Sequence, residues 1–529
     1  MRFPLTDKRP TAGPRRAAWC ARLLAALMAL CASLPPAWAQ PANLPSLGDG
    51  LDMTLTNERR LGDRIAASIY RDPALLDDPI LNDYLLALWQ PLVAAALTRG
   101  ELSPELQERF AWKLFLVRDR SVNAFALPGG YLGVHTGLIA AVASPDALAS
   151  VLSHELSHVT QRHIARMIGQ QQSQMPWLIA AMVLGVIAAG RSADVANAAI
   201  VGGQAAAMQG QLNFSRDMER EADRIGFGIL LDAGFNPEGP SEMFEKLQQA
   251  NRFNDSGAFP YLRSHPLTSE RIADARARQQ GAGSALQTAR RPGLPSLAWH
   301  AMMGARARVL GDGTADALQA YLQQARQLNA DTSHEQKLSV YYAAALAAAR
   351  LRDAPLARQM LAQVMQLCAG RPQIGPAAQW LGLEVEELLG QSERAATMIS
   401  WSTSPSRAEL MTHGRVLIRA GRAAAVSERL RNWVIAHPRD GSAWALLAQA
   451  LHQQGQVLAA IRAEAEGRAA ELDYQGAVDR IKAAQDLLRT GRTGSDAANL
   501  HIEASIIDAR ARQLQALLRE QMLQERSNR

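Results

Sequence analysis

A His-Glu-x-x-His sequence at residues 154–158 is the feature that most constrains how this 529-residue chain can fold. Residues four apart project from the same side of an α-helix, so the two imidazoles can share one metal ion only if the segment is helical. The carboxylate of Glu155 then lies where it can reach a water bound to that metal. Apolar spacing indeed predicts a helix over residues 144–168, and Asp146 is well placed near its start.

A second motif, which is acidic, supplies the third metal ligand that the first motif lacks. Glu219 and Asp223 are also four residues apart on a predicted helix, so one carboxylate can complete a three-ligand site while the other lies a turn away. Three protein ligands and a water form the open geometry of catalytic zinc, whereas a structural zinc site needs a fourth protein ligand. Cys368 lies far along the chain and does not provide it. A metzincin pattern is disfavoured, because Gln161 and Ile164 stand where it requires glycine and histidine.

The first 39 residues have the pattern of an export signal. A basic stretch ends at Arg22, an apolar run covers residues 23–34, and an Ala-Trp-Ala sequence ends at Ala39. The alternative is an uncleaved anchor, but the run is shorter than the roughly 20 residues that span a bilayer. Removal of residues 1–39 leaves Cys368 as the sole cysteine, so no internal disulfide is possible. We therefore expect a Sec-exported protein of the bacterial periplasm, cleaved near Ala39.

The charge distribution argues against a nucleic-acid-binding protein. The formal net charge is +6, but the first 39 residues hold six basic side chains against one acidic residue, Asp7. The remaining 490 residues carry 50 basic and 49 acidic groups. A protein that binds nucleic acid needs a concentrated basic surface, so no nucleic-acid partner is expected.

Residues 40–290 are predicted to form the domain that carries the two motifs. Helical spacing over residues 58–70 and 79–98 predicts two leading helices. Alternating apolar residues between 112 and 137, interrupted by a Pro-Gly-Gly break at 128–130, predict a short sheet with a hairpin.

An apolar helical hairpin is predicted at about residues 176–208. Its first run, residues 177–189, is uncharged but at about 20 Å is too short to cross a hydrocarbon core of about 30 Å. Two interpretations remain open. The hairpin is either buried in the domain or forms a flap that faces a membrane or a client protein.

Residues 295–525 are rich in alanine and leucine and are interrupted at intervals by glycine or proline, which predicts an all-α region. Gly421 and Gly455 are 34 residues apart, the period of tetratricopeptide repeats, and the residues around Trp444 follow that pattern. A non-repeating helical bundle is the alternative.

Taken together, these motifs resemble the HtpX-like and prenyl-protein endopeptidase gluzincins, and most of all the periplasmic β-barrel assembly-enhancing proteases, which append tetratricopeptide repeats. The resemblance runs from about residue 58 to 276 and includes Asn-Ala-Phe-Ala-Leu-Pro-Gly-Gly from Asn123, the motif at 154–158, Ser-Arg-x-x-Glu-x-x-Ala-Asp from Ser215, and Ser-His-Pro at 264–266. It implies a mainly α protein: a gluzincin-type α+β metalloprotease domain with a small sheet, followed by an all-α tetratricopeptide-like repeat domain.

The resemblance also implies roles for individual residues. One zinc ion is expected at His154, His158 and Glu219, with Glu155 as general base. Asp223 matches a carboxylate described as a proton donor or as a partner behind a ligand, and we favour the second role, in which it orients a zinc-bound histidine. The family's hairpin implies an edge strand that pairs with extended substrate, formed by Asn123, Ala124, Phe125 and Ala126.

His265 is a further candidate site residue. It lies on a predicted loop after the metal-binding motifs, and two kinds of role remain open: a structural role, and an active-site role. In the active site it would act as an oxyanion donor or as a removable fourth ligand that restrains the enzyme. His163 and His135 are predicted to be structural.

The resemblance predicts a periplasmic zinc endopeptidase of outer-membrane protein assembly and quality control, which degrades misfolded clients and assists folding. Its expected partners are unfolded or stalled outer-membrane proteins and their assembly machinery, bound through the repeats, with peripheral membrane contact. The main alternative is a non-proteolytic chaperone or adaptor that keeps a protease-like fold. A weaker alternative, a prenyl-peptide processing enzyme, would need membrane helices.

Overall fold

A computed structural model describes residues 53–170, 216–251, 261–282, 291–490 and 497–527. The predicted signal segment and the apolar hairpin at 176–208 lie outside these ranges. Residues 53–529 form one compact unit. The first half of the described chain contains, in order, α1 (Leu55–Tyr70), α2 (Pro79–Thr98), α3 (Pro104–Arg109), β1 (Lys113–Val117), β2 (Ala124–Leu127), β3 (Tyr131–His135), α4 (Thr136–Ala141), α5 (Pro145–Thr160), α6 (His163–Gln170), α7 (Arg216–Asp232), α8 (Gly239–Asn251), α9 (Tyr261–Ser264) and α10 (Ser269–Gly281).

The small sheet and its hairpin are as the sequence predicts. The strand order is β1-β3-β2, with β1 parallel and β2 antiparallel to β3. Gly129 and Gly130 turn the hairpin with φ of +75° and +82°, a region that residues with a Cβ seldom adopt. Strand β2 is therefore one edge of the sheet, and it packs against α5.

The helix predicted over residues 144–168 is broken. Ser144 caps α5 by accepting a hydrogen bond from the backbone N–H of Ala147, and α5 ends at Thr160. Arg162 then takes a left-handed conformation, with φ of 53°, and a separate helix α6 begins at His163. Hydrogen bonds from Arg162 to Glu58 and to the Met53 carbonyl hold this kink.

Helix α2 is the single helix among the described residues that is long and apolar enough to cross a membrane. Half of its most apolar window is buried within the protein, and Ile80, Leu81, Leu85 and Leu88 are fully buried in the main core. A core helix of a globular domain has the same composition, and α2 packs as one, against α5, α7 and α17.

The chain after residue 290 is helical throughout its described part. Its helices are α11 (Leu297–Gly311), α12 (Ala315–Arg326), α13 (His334–Arg350), α14 (Ala354–Cys368), α15 (Gly375–Leu388), α16 (Ser392–Thr397), α17 (Arg407–Arg419), α18 (Ala424–Ala436), α19 (Gly441–Gln453), α20 (Val457–Ala470), α21 (Tyr474–Thr490) and α22 (Ala497–Ser527). The mainly helical architecture with a small sheet is therefore confirmed.

Two of these helix pairs follow the 34-residue period. Gly421 and Gly455 both have φ of +73° and occupy equivalent turns, one between α17 and α18 and the other between α19 and α20. A single hydrophobic core continues from α2 and α5 through α11, α13 and α15. The described residues before 290, called the protease region below after the predicted domain, therefore share buried surface with the first helices that follow them. The domain boundaries at 40–290 and 295–525 stay predictions.

Candidate active site

The site forms where α5 crosses α7. Gly226 of α7 makes the close approach possible, since a Cβ there would lie 3.1 Å from the backbone nitrogen of His154. His154 and His158 project from α5, and Glu219 projects from α7 between them. All three side chains are at least nine-tenths buried, so the two helices hold the group in a fixed geometry.

Four side chains converge at this crossing: His154, His158, Glu219 and His265. One nitrogen or oxygen from each lies within 4.8 Å of the others. The Nε2 atoms of His154 and His158 are 3.0 Å apart, and each is 3.5 Å from a Glu219 oxygen. Electron-rich nitrogen and carboxylate atoms repel one another at such distances unless protons or a cation lie between them. The donor set is the one that zinc prefers, so these residues fit a metal ion.

His265 joins the group from the loop that follows α9. Its Nδ1 lies 3.0 Å from Glu219 Oε1 and 3.3 Å from His154 Nε2, and its ring stacks on Tyr261 with centroids 4.5 Å apart. His265 is therefore one of four side chains that could hold a metal ion, and His154, His158, Glu219 and His265 are called the metal-ligand group below. The sequence left a structural role for His265 equally open.

Glu155 lies beside the ligands without joining them. Both of its carboxylate oxygens are buried, and within the described ranges neither accepts a hydrogen bond. The Nε2 atom of His265 lies 3.4 Å from Glu155 Oε1. A buried carboxylate without hydrogen-bond donors is costly, which is typical of a group that works on a bound molecule.

Asp223 contacts the far side of His154. Its Oδ1 lies 3.0 Å from His154 Nδ1, so the opposite ring nitrogen, Nε2, faces the ligand group. Arg271 of α10 donates two hydrogen bonds to Asp223, at 2.7 and 2.9 Å, and its Nη1 is 2.8 Å from Glu219 Oε2. Sequence reasoning did not assign Arg271 a role; it follows the Ser-His-Pro motif by five residues, but its position gives no sign of this contact.

His158 has a matching support. His163 Nδ1 lies 2.8 Å from His158 Nδ1, and His163 Nε2 lies 3.1 Å from a carboxylate oxygen of Glu221. Glu221 also accepts a hydrogen bond from Arg166. His163 is therefore a hydrogen-bonding residue outside the ligand group, and it contacts the ligand His158 directly.

The charges of the site shift its pKa values strongly in the metal-free protein. Burial lowers the pKa of His154, but hydrogen bonds to Asp223 and Glu219 outweigh burial and raise it to about 10. Burial raises the pKa of Asp223, and Arg271 with His154 overcomes this and lowers it to about 2. Burial and the neighbouring His154 lower the pKa of His158. Asp223 is thus fixed as an anion, which suits it to orient an imidazole.

The predicted substrate strand is an edge of the sheet by topology, and its residues Asn123, Ala124 and Ala126 are buried. Ala124 to Ala126 pair with β3 on one side, in the register Ala124↔Val134, and Asn123 accepts a hydrogen bond from the His135 N–H. No strand of the described chain pairs with the other side of β2. His135 is buried in the hairpin next to Ser121, away from the metal-ligand group.

Comparison with known proteins agrees with the motifs and the geometry. Residues 93–279 match the model of peptidase family M48. The chain is 28% identical over 483 residues to the beta-barrel assembly-enhancing protease of Yersinia pestis, covering 90% of this chain and 92% of that protein. It is 29% identical over 475 residues to the protein of the same name from Escherichia coli K12, covering 86% and 90%. A putative beta-barrel assembly-enhancing protease of Vibrio cholerae is 37% identical over 258 residues, 48% of this chain and 51% of that protein.

Proposed function

We propose that this chain, a metalloprotease with a domain of peptidase family M48, is a zinc endopeptidase of the bacterial periplasm that acts on outer-membrane proteins during their assembly. The observation that carries the catalytic part is the convergence of His154, His158 and Glu219 beside the buried carboxylate of Glu155. The names of the relatives support the link to β-barrel assembly. The basic and apolar N-terminal 39 residues support export.

In this proposal His154, His158 and Glu219 hold one zinc ion. Bound zinc lowers the pKa of a water toward 7 and polarises the scissile carbonyl. Asp223 holds His154 with Nε2 directed at the ligand group, and His163 does the same for His158. Arg271 keeps Asp223 and Glu219 ionised and in place.

Glu155 carries the protons. Its carboxylate accepts a proton from the attacking water as the oxygen of that water bonds to the carbonyl carbon. It then delivers the proton to the amine nitrogen as the peptide C–N bond breaks, which balances the reaction. The absence of hydrogen-bond donors to Glu155 among the described residues supports this role, since its buried oxygens are not occupied by another donor and can accept a proton from water.

Substrate is proposed to add to the edge strand formed by Asn123, Ala124, Phe125 and Ala126. Backbone pairing recognises any extended chain, so it selects unfolded segments more than particular side chains. This favours misfolded or stalled clients over folded proteins. The helices after residue 290 are proposed to be tetratricopeptide-like repeats that bind clients or assembly machinery, and the apolar segment at 176–208 is proposed to contact clients or the membrane surface.

His265 is proposed to be a removable fourth ligand that restrains the enzyme. The Nδ1 atom of His265 lies 3.0 Å from Glu219 and 3.3 Å from His154, which supports the ligand role. The same nitrogen cannot bind zinc and donate a hydrogen bond to an oxyanion at once, so these distances disfavour the oxyanion role. Neutral imidazole binds zinc reversibly, so movement of the loop would open the site.

The alternative is a chaperone or adaptor that binds clients without cutting them. Metal analysis and casein cleavage by the wild-type protein and by Glu155→Gln separate the two. Asp217→Asn is the matched control, since Asp217 is exposed on α7 and lies outside the ligand group. Cleavage that is lost in Glu155→Gln and kept in the control supports the enzyme, whereas binding without cleavage, even after His265→Ala, supports the chaperone.

A further inference from the structure

A cavity of about 950 Å³ lies between the sheet side of the protease region and the helices that follow it. Its lining comes from α1, α2, β1 and β3 on one side and from α11, α15, α17, α18, α20 and α21 on the other. None of the lining residues belongs to the metal-ligand group. The volume falls within the range of about 300–1,000 Å³ that ligand pockets usually have.

Aromatic rings contribute much of the lining. Six of them border the cavity, and they come from five helices and one strand that are far apart in sequence: Tyr70, Tyr131, Trp299, Trp380, Trp433 and Tyr474. Such rings are large, rigid surfaces that bind apolar or aromatic groups with little loss of conformational freedom.

The buried polar atoms of the lining that lack a partner within the described ranges are donors. The side chain of Lys113, at the start of β1, has no hydrogen bond or ion pair with a described residue, whereas its backbone N–H donates to Gly130. Trp299 Nε1 and Arg407 Nη1 are buried and also lack an acceptor within the described ranges. Burial and the nearby Arg407 cation lower the pKa of Lys113, so its charge is held at a cost that an anion would relieve.

The acidic groups of the lining are already satisfied. Asp440 accepts two hydrogen bonds from Arg407, at 2.8 and 2.9 Å, and another from Trp433. Asp63 accepts from Arg59 and Tyr131, and Asp83 accepts from a helix N–H at Ala408. What the cavity lacks is therefore a negatively charged hydrogen-bond acceptor and not a cation.

We propose that this cavity binds a polypeptide segment in which a carboxylate lies next to an aromatic or large apolar side chain. The carboxylate would accept hydrogen bonds from Lys113 and Arg407, and the side chain would lie among the rings. A fatty acid shares the carboxylate, but polar lining residues such as Gln90 and Ser406 interrupt the apolar surface and match peptide amides better than a hydrocarbon tail.

This site goes beyond the proposed function, because it holds a segment at a place distinct from the metal-ligand group. It borders β1, the opposite edge of the sheet from the proposed substrate strand β2. Binding there does not require cleavage. Its failure is thus distinguishable from failure of the proposed protease activity.

The test uses the full chain carrying Glu155→Gln, so that peptides are bound but not cut. Fluorescent peptides of about ten residues are compared by anisotropy, each with a phenylalanine beside either a C-terminal carboxylate, a C-terminal amide, a glutamate or a glutamine. We expect the carboxylate forms to bind about tenfold more tightly than their neutral counterparts, as charge-assisted hydrogen bonds in a partly buried site do. The pair that shows the larger difference identifies the chain end or the acidic side chain as the source of the anion.

Variants at Lys113 locate the effect. Lys113→Met should remove the preference for the carboxylate peptides and Lys113→Arg should keep it, whereas Lys482→Met, on an exposed face of α21, should bind like the parent. An unchanged melting temperature for Lys113→Met shows that folding is intact; if Lys113→Met fails to fold, Arg439→Gln at the cavity rim replaces it. The proposal is overturned if Lys113→Met, or Arg439→Gln in its place, keeps the full preference. It is also overturned if no peptide binds, or if dodecanoate binds the cavity and the peptides do not.

Discussion

Two buried clusters of charge in this protein differ in how their charges are satisfied. At Arg306, 1% exposed, each guanidinium nitrogen has a partner: Asp78 at 2.5 and 2.8 Å, and Glu384 at 2.5 Å. At the metal-ligand group, both oxygens of Glu155 lack hydrogen bonds from the described residues, and three imidazoles crowd together beside Glu219. The first cluster is complete and serves the fold, whereas the second is complete only with a cation and a substrate.

Removal of a metal ligand should have the largest effect. His154→Ala, His158→Ala and Glu219→Ala are each expected to abolish stoichiometric zinc and all cleavage, because only two of the three permanent ligands then remain and His265 is a removable one. Zinc content of the purified proteins by mass spectrometry checks this. Asp217→Ala, at an exposed position of the same helix, is the control and should keep its zinc; normal zinc in Glu219→Ala would place the third ligand elsewhere.

Disruption of the Arg306 cluster should lower the free energy of unfolding and leave zinc binding and cleavage intact. Arg306→Met leaves Asp78 and Glu384 buried without their cation, which we expect to lower the free energy of unfolding by about 3–5 kcal/mol. Urea unfolding measures this loss, and Arg512→Met, on an exposed helix face, should change it by less than about 0.5 kcal/mol. A loss of zinc from folded Arg306→Met protein would show that the two clusters are not separate.

A buried histidine outside the metal-ligand group should make stability depend on pH. Burial lowers the pKa of His135 to about 4, with Asp119 opposing the shift, so the folded protein holds this imidazole neutral. As pH falls below the ordinary value of 6.5, the unfolded chain binds the proton first, and stability decreases until pH reaches about 4. We expect about 2 kcal/mol of loss between pH 7 and pH 5 that His135→Gln lacks. Equal slopes in the two proteins, measured by urea unfolding, would contradict the shift.

Replacement of His265 should change activity less than removal of a metal ligand, and it should raise activity where the other change abolishes it. His265→Ala is expected to raise kcat/KM on an unfolded peptide severalfold, while zinc stays bound by the other three ligands. If His265 were an oxyanion donor, the rate would instead fall about a hundredfold or more. An unchanged kcat/KM would remove both roles and leave His265 structural.

Local patterns in the sequence predict the parts of this structure that depend on neighbours along the chain. The spacing in residues 154–158 predicts a helix that presents two histidines, and the glycines at 129 and 130 predict the hairpin turn. The kink at Arg162 was not predicted, because a left-handed arginine has no glycine or proline signal and depends on Glu58, about a hundred residues earlier.

Contacts between distant elements lie beyond such patterns. Arg271 reaches Asp223 from another helix, and the cavity joins Lys113 to Arg407, nearly three hundred residues apart. An arginine or lysine in a helical or strand pattern is usually a solvated side chain, so nothing in the sequence distinguishes these from their exposed counterparts. Packing alone determines which of them meet.

We propose that His154, His158 and Glu219 form a catalytic metal site in which Glu155 carries the proton. Zinc content and kcat/KM on an unfolded peptide, measured together on Glu155→Gln and wild type in the His265→Ala background, test it most directly. We predict full zinc occupancy in both proteins and a fall in kcat/KM of about a hundredfold to ten-thousandfold with Glu155→Gln. Cleavage that survives Glu155→Gln with zinc in place would contradict the claim.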